Sequence, residues 1–282
     1  MAERAMQGTK VRQPAVAGSF YPANPHALRV DLKTLVAQVP ASGMARHKAL
    51  IAPHAGYVYS GQVAAAAFAT LRAAAGDITR VVLIGPAHYV ALRGVAVPTA
   101  HSFATPLGSV PLDGDALAAI SRLPFTCVND AAHAPEHAIE VELPFLQVIL
   151  GSFALVPLLV GDARPQEVAQ VLGSLWGGNE TLVVISSDLS HYHDYATAKR
   201  LDAATADSIE RGEWAQLGAR NACGFLPLAG LLIEAERHGL KAERLALCNS
   251  GDAAGGRDRV VGYGAWSFQG PGAGINESSH ES

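Results

Sequence analysis

Two short, unbroken apolar runs in this chain each end in a proline-containing turn that carries a histidine. The first is Lys48-Ala-Leu-Ile-Ala-Pro53-His54 and the second Arg80-Val-Val-Leu-Ile-Gly-Pro86-Ala-His88. A strand with one face in water alternates apolar and polar residues. A run with no polar member fits a strand covered on both faces, as in a sheet wrapped by helices. Two further runs end in reactive side chains: Thr181-Leu-Val-Val-Ile-Ser-Ser-Asp188-Leu-Ser-His191 and Leu245-Ala-Leu-Cys248. In such sheets the carboxyl ends of the strands collect the functional groups. Four strands that place His, Asp or Cys at that edge point to one site, and the donor types point to a metal.

The rest of the chain supplies the covering layers. Helical patterns alternate with strand patterns, which predicts a single-domain α/β/α sandwich with a central, mostly parallel sheet over residues 12–268. Residues 1–11 and 269–282 read as flexible tails. Asn24 and Pro25 open a first helix. Ser60 is placed to cap an alanine-rich helix from Gly61 to Ala75, and Glu140 to Leu150 is apolar at helical spacing. The last strand, Val260 to Phe268, reads as an antiparallel edge or as the partner of the strand before it. At 282 residues, 49% of them hydrophobic, the chain can build a sizeable core.

Composition excludes several classes of partner. Lys+Arg 21 against Asp+Glu 25 leaves a formal net charge of -4, with no basic run and few aromatics. Nucleic acid is therefore not an expected partner. No apolar stretch approaches the roughly 18 to 20 residues that cross a bilayer, so no membrane is expected either. The start, Met1-Ala-Glu-Arg-Ala-Met-Gln-Gly, has no apolar stretch of a secretory signal. Three cysteines do not make a disulfide framework, and the expected location is a reducing cytoplasm.

Among the candidate residues, His54 and His88 occupy equivalent places in successive strand–turn units. Gly56 and Gly61 flank the first and allow close backbone approach. Asp188 could simply cap a helix, but His191 three residues on fits an acid or base beside a metal. Cys127 and Cys223 read as small buried hydrophobes. Cys248 precedes the polar turn Asn249-Ser-Gly-Asp252, which favours a strand end over a core position. The segment His133-Ala-Pro-Glu136-His137 matches the H-x-x-E-H pattern of one class of zinc protease. That pattern needs both histidines on one helical face, and Pro135 disfavours helix at Ala134. Glu136 and His137 remain as groups that could support a ligand or contact a substrate.

Taken together, these segments resemble the Memo family, known in prokaryotes as AmmeMemoRadiSam system protein B. The resemblance starts at Arg12-Gln-Pro-Ala-Val-Ala-Gly-Ser-Phe-Tyr-Pro22. It continues through Ala52 to Gly61, Gly85-Pro-Ala-His88, Glu136-His-Ala-Ile-Glu140, Ser186-Ser-Asp-Leu-Ser-His191 and Cys248-Asn-Ser-Gly-Asp252 to Gly262-Tyr-Gly264. It implies an α/β fold similar to LigB-type extradiol dioxygenases, which hold non-haem iron with two His and a carboxylate. In Memo-like proteins the corresponding pocket has two His and a Cys. Carried onto this chain, the resemblance makes His54, His88 and Cys248 the metal ligands. His191 takes the acid/base place, with Asp188 beside it. It implies Fe(II), with copper or zinc as alternatives, and a dioxygenase-like oxidoreductase acting on a small molecule. A thiolate in place of a carboxylate changes metal preference and is itself open to oxidation. The other implied reading is a non-catalytic metal-binding adaptor that takes a small-molecule or peptide ligand. A related one is an accessory to a modification system containing radical-SAM and AMMECR-type proteins.

Overall fold

The computed structural model describes residues 10–40 and 46–270. In chain order the strands are β1 (Val11–Arg12), β2 (Ala49–Ala52), β3 (Arg80–Pro86), β4 (Val95–Val97), β5 (Ser102–Thr105) and β6 (Gly108–Pro111). They continue with β7 (Thr126–Val128), β8 (Ala154–Val160), β9 (Thr181–Ser186), β10 (His191–His193), β11 (Lys241–Asn249) and β12 (Val260–Gln269). Nine of them form one sheet in the order β10-β12-β2-β9-β3-β8-β4-β7, with β11 on the other side of β12. The centre, β2-β9-β3-β8, is parallel. β12 runs antiparallel to both β2 and β11. β1, β5 and β6 make a separate three-stranded sheet.

The unbroken apolar runs do face core on both sides. Leu50, Val81, Leu83, Leu182 and Val184 point into one cluster with Leu28, Leu32, Phe68 and Phe145. Their neighbours Ile51, Val82, Ile84, Val183 and Ile185 point into a second cluster with Val168, Leu172, Leu228 and Leu231. The period of two along a strand thus divides each run between two helical layers. The architecture is the expected mixed α/β sandwich around a mostly parallel sheet.

Several boundaries differ from expectation. Residues 1–9 and 271–282 of the expected tails lie outside the described residues. Val11 does not behave as tail: it pairs with Ser102, and Lys10 bonds to Asp130. The helix expected from Gly61 spans Tyr57–Ala69, with Gly56 at its N-cap, because the chain turns immediately after His54. Ser60 instead donates its hydroxyl to the Ala55 carbonyl. The helix expected over Glu140–Leu150 is two pieces, His137–Glu140 and Leu143–Leu150, the second with Pro144 in its first turn. β12 is the partner of β11, as one alternative had it, but it lies inside the sheet and not at its edge. No described helix is long and apolar enough to cross a membrane.

Candidate metal centre

Each central strand ends where its backbone runs out of ladder partners, and side chains fix the turn beyond it. After β2, the His54 N–H donates to Asp188 Oδ1 at 2.9 Å. After β3, the His88 N–H donates to Glu136 Oε2 at 2.6 Å. After β9, the Ser187 N–H returns to the Ala52 carbonyl, which sets Asp188 against the β2 turn. β10 pairs with the start of β12 through an irregular register, and Tyr192 takes a left-handed φ of 63° between His191 and His193. Such irregularities re-aim side chains at sheet ends.

These turns bring the histidines together. Ring centroids of His54 and His88 are 5.2 Å apart, those of His54 and His137 5.3 Å, and those of His88 and His137 4.8 Å. His54 is buried, whereas His88 opens to solvent, so the cluster has an accessible side. Burial, and then His88 and His137, hold the His54 imidazole well below its usual pKa, so it is neutral. Burial also raises Asp188, against the pull of His191 and the His54 N–H.

The thiol that completes this group is Cys223, and Cys248 does not join it. One nitrogen each of His54 and His88 and the Cys223 Sγ lie within 4.8 Å of one another, with Cys223 Sγ 3.4 Å from His54 Nε2. Cys223 sits just before the helix Phe225–Arg237 and docks on the β9 turn through a backbone bond from its N–H to the Asp188 carbonyl at 3.2 Å. The next residue must be small: a Cβ on Gly224 would meet Ser187 Cβ at 2.7 Å. The expected ligand set His54, His88 and Cys248 is therefore not the one assembled. Cys248 does end its strand at the correct edge, but β12 stands between β11 and β2, and Tyr263 is its register partner. Two strand spacings put it about 10 Å from the β2 turn. The Cys223 thiol is buried, as read, but its Sγ faces His54 and not only apolar neighbours. The sequence signal was a reactive residue and a glycine directly ahead of a helix, the pattern that His54-Ala-Gly56 also shows.

Hydrogen bonding fixes two tautomers. His88 Nδ1 faces Glu136 Oε1 at 2.9 Å, and His191 Nδ1 faces the Leu189 carbonyl at 2.8 Å. Both partners can only accept, so each Nδ1 carries the hydrogen and each Nε2 keeps its lone pair. Burial raises Glu136, but the contacts from His137 and His88 outweigh it and hold the carboxyl well below the usual range. Glu136 also caps the helix His137–Glu140 through the N–H groups of His137 and Ala138. It orients His88, as a supporting group was expected to, and lies close enough to His88 and His137 to form a second potential donor cluster.

The protease pattern fails on geometry. The helix Asp130–His133 stops before Pro135, and the His133 ring contacts the Ala96 carbonyl at 3.1 Å, away from His137. Burial pushes His133 down to about 4, while the Ala96 carbonyl acts in the other direction. Unfolded, the same imidazole titrates near 6.5, so below that pH the unfolded chain binds the extra proton. Stability should fall as pH drops from about 6.5 towards 4, by at most about 1.4 kcal/mol per pH unit from this one group. Urea melts of parent and His133→Phe across that window should diverge, the parent being the more acid-sensitive. Parallel slopes would refute the assignment.

A mostly parallel sandwich whose strand ends gather imidazoles, carboxylates and one thiol defines a protein with a donor-rich cluster at its sheet edge. The family model for "Memo-like protein" matches residues 12–267. A MEMO1 family protein of Archaeoglobus fulgidus is 33% identical over 270 residues, covering 92% of this chain and 100% of the relative. Similar matches occur in Methanosarcina mazei, 35% identical with 91% and 98% covered, and in Aquifex aeolicus, 31% identical with 90% and 97% covered. The chain belongs to the Memo family.

Proposed function

We propose that this donor cluster binds a divalent first-row metal, iron(II) first and copper or zinc as alternatives, through His54, His88 and Cys223. On this reading the protein is a dioxygenase-like oxidoreductase acting on a small organic molecule. The observation that carries the reading is the donor set: two imidazoles and a thiol within 4.8 Å, one imidazole buried and one open. That set fits a first-row metal of borderline softness with positions left for a ligand. The bound metal would supply Lewis acidity and electron transfer.

The chain's own residues supply orientation and proton handling. Burial and the Asp188 carboxylate push the Cys223 thiol up to about 12, so in the metal-free protein it is a thiol beside a neutral His54. Taking up a metal there displaces that proton. Glu136 keeps His88 turned with Nε2 outward. His191, with its Nδ1 engaged by Leu189, presents Nε2 as the acid/base, and Asp188, which accepts from the His54 N–H, is the carboxylate coupled to it by charge.

The test is elemental analysis of protein purified without oxygen, followed by oxygen-uptake screening on the same preparation. His191→Ala should keep its metal and lose turnover by about 10²–10⁴-fold. If it loses metal as fully as His54→Ala, His191 is a ligand and this division of roles is wrong.

One observation favours a second reading, a non-catalytic adaptor or an accessory to a system with radical-SAM and AMMECR-type proteins. Val58, Tyr89 and Tyr192, each within a few residues of a site histidine, expose 67%, 56% and 63% of their surface. Exposed apolar groups beside a pocket suit a protein or peptide contact. Metal retention without turnover of any compound, together with co-purification of such partners, would favour it.

A further inference from the structure

His54 is held from behind by a hydroxyl with more partners than hydrogens. Ser186 Oγ lies 2.6 Å from the Ala138 carbonyl oxygen, 2.7 Å from His54 Nδ1 and 3.1 Å from Glu142 Oε1. A carbonyl oxygen only accepts, so the single hydroxyl hydrogen goes to Ala138, the shortest of the three contacts. The other two partners must then bring hydrogens of their own, His54 on Nδ1 and Glu142 on Oε1. Glu142 is fully buried, and its other oxygen, Oε2, has no hydrogen-bond partner among the described residues. A bare oxygen there costs far less on a neutral acid than on a carboxylate.

We propose that Glu142 is a neutral carboxylic acid that, through Ser186, locks His54 as its Nδ1–H tautomer and so offers the Nε2 lone pair to Cys223 and the centre. The surroundings agree: burial and the Asp188 carboxylate both drive Glu142 well above the usual carboxyl range. The centre then sets its two imidazoles by opposite means. Ionised Glu136 accepts from His88 Nδ1, whereas neutral Glu142 donates to the hydroxyl that accepts from His54 Nδ1. Glu142 and Ser186 are positioning residues. The consequence for metal binding rests on His54 being a ligand; the tautomer itself does not.

The tautomer is read on metal-free protein at neutral pH. Nitrogen-15 NMR of the histidine side chains should show His54 as Nδ1–H in the parent. It should stay so in Glu142→Gln, whose carboxamide can still donate to Ser186, and shift towards Nε2–H in Ser186→Ala. Infrared spectra of the parent should show a protonated-carboxyl band that Glu142→Gln lacks. With zinc as the probe, Ser186→Ala should bind about 10–100-fold more weakly, and Glu142→Gln nearly as well as the parent. A parent with His54 as Nε2–H, or with no carboxyl band assignable to Glu142, would overturn the proposal. Both are read without Ser186→Ala, so a folding failure of that variant leaves the decision intact. If the spectra hold and zinc affinity does not change in Ser186→Ala, the lock stands and the ligand role of His54 fails.

Discussion

Cys223→Ser should strip the centre of metal, while Cys248→Ser and Cys127→Ser keep it. Cys223 Sγ is 3.4 Å from His54 Nε2, whereas Cys248 is separated from the β2 turn by the whole of β12. Losing the only thiol of the donor set should weaken binding by more than the about 10–100-fold that attends loss of a group merely supporting a ligand. Serine keeps the volume and the backbone dock on Asp188, so the fold should survive. Elemental analysis of the three variants, purified side by side, checks this. Metal lost from Cys248→Ser but retained by Cys223→Ser would reverse the assignment and restore the ligand set expected from the sequence.

The second large effect lies beneath the centre. Arg12 and Glu140 form an ion pair with both side chains buried. Arg12 also donates to the carbonyls of His133 and Glu136, at 3.1 and 2.6 Å. Glu140 accepts from the N–H groups of Ala15 and Val16 and from the Tyr21 hydroxyl. One cluster thus ties the segment from Arg12 to Tyr21 to the segment that carries Glu136 and His137. Phe20 in the first segment meets the His137 ring at 4.9 Å. Arg12→Met removes the cation and leaves a buried carboxylate, a change expected to cost about 3–5 kcal/mol. The double variant Arg12→Met with Glu140→Gln should recover part of that, because no charge is left uncompensated. Urea unfolding of both measures it. A loss below about 1 kcal/mol for Arg12→Met would show the pair to be solvated.

Part of this was legible along the chain. The interiors of β2, β3 and β9 could be read because burial on both faces leaves a local mark, an apolar run without alternation. His54 and His88 could be read because each follows, within two residues, a proline that closes an apolar run, which places it at the sheet edge. Asn24 capping its helix was local in the same way. The Pro135 objection to a zinc-protease helix held for that reason as well.

What only the tertiary structure decided involves partners far apart in sequence. Glu136 was expected only as a supporting group and Glu140 only as the start of an apolar helix, yet Glu136, Glu140 and Glu142 are all buried. Their partners come from residues 12 to 21, from His88 and from Ser186, and no local pattern announces them. The choice between Cys223 and Cys248 was of the same kind. Local sequence favoured Cys248, at a strand end before a polar turn, over Cys223 just ahead of a helix. Strand order separates them: β12 inserts antiparallel beside β2 and moves β11 one place outwards, while the helix after Gly224 packs close enough to deliver its thiol. The sequence by itself determined which strands are buried and that histidines crown them. The order of the strands, a property of hydrogen-bond pairing between distant segments, determined which sulfur they meet.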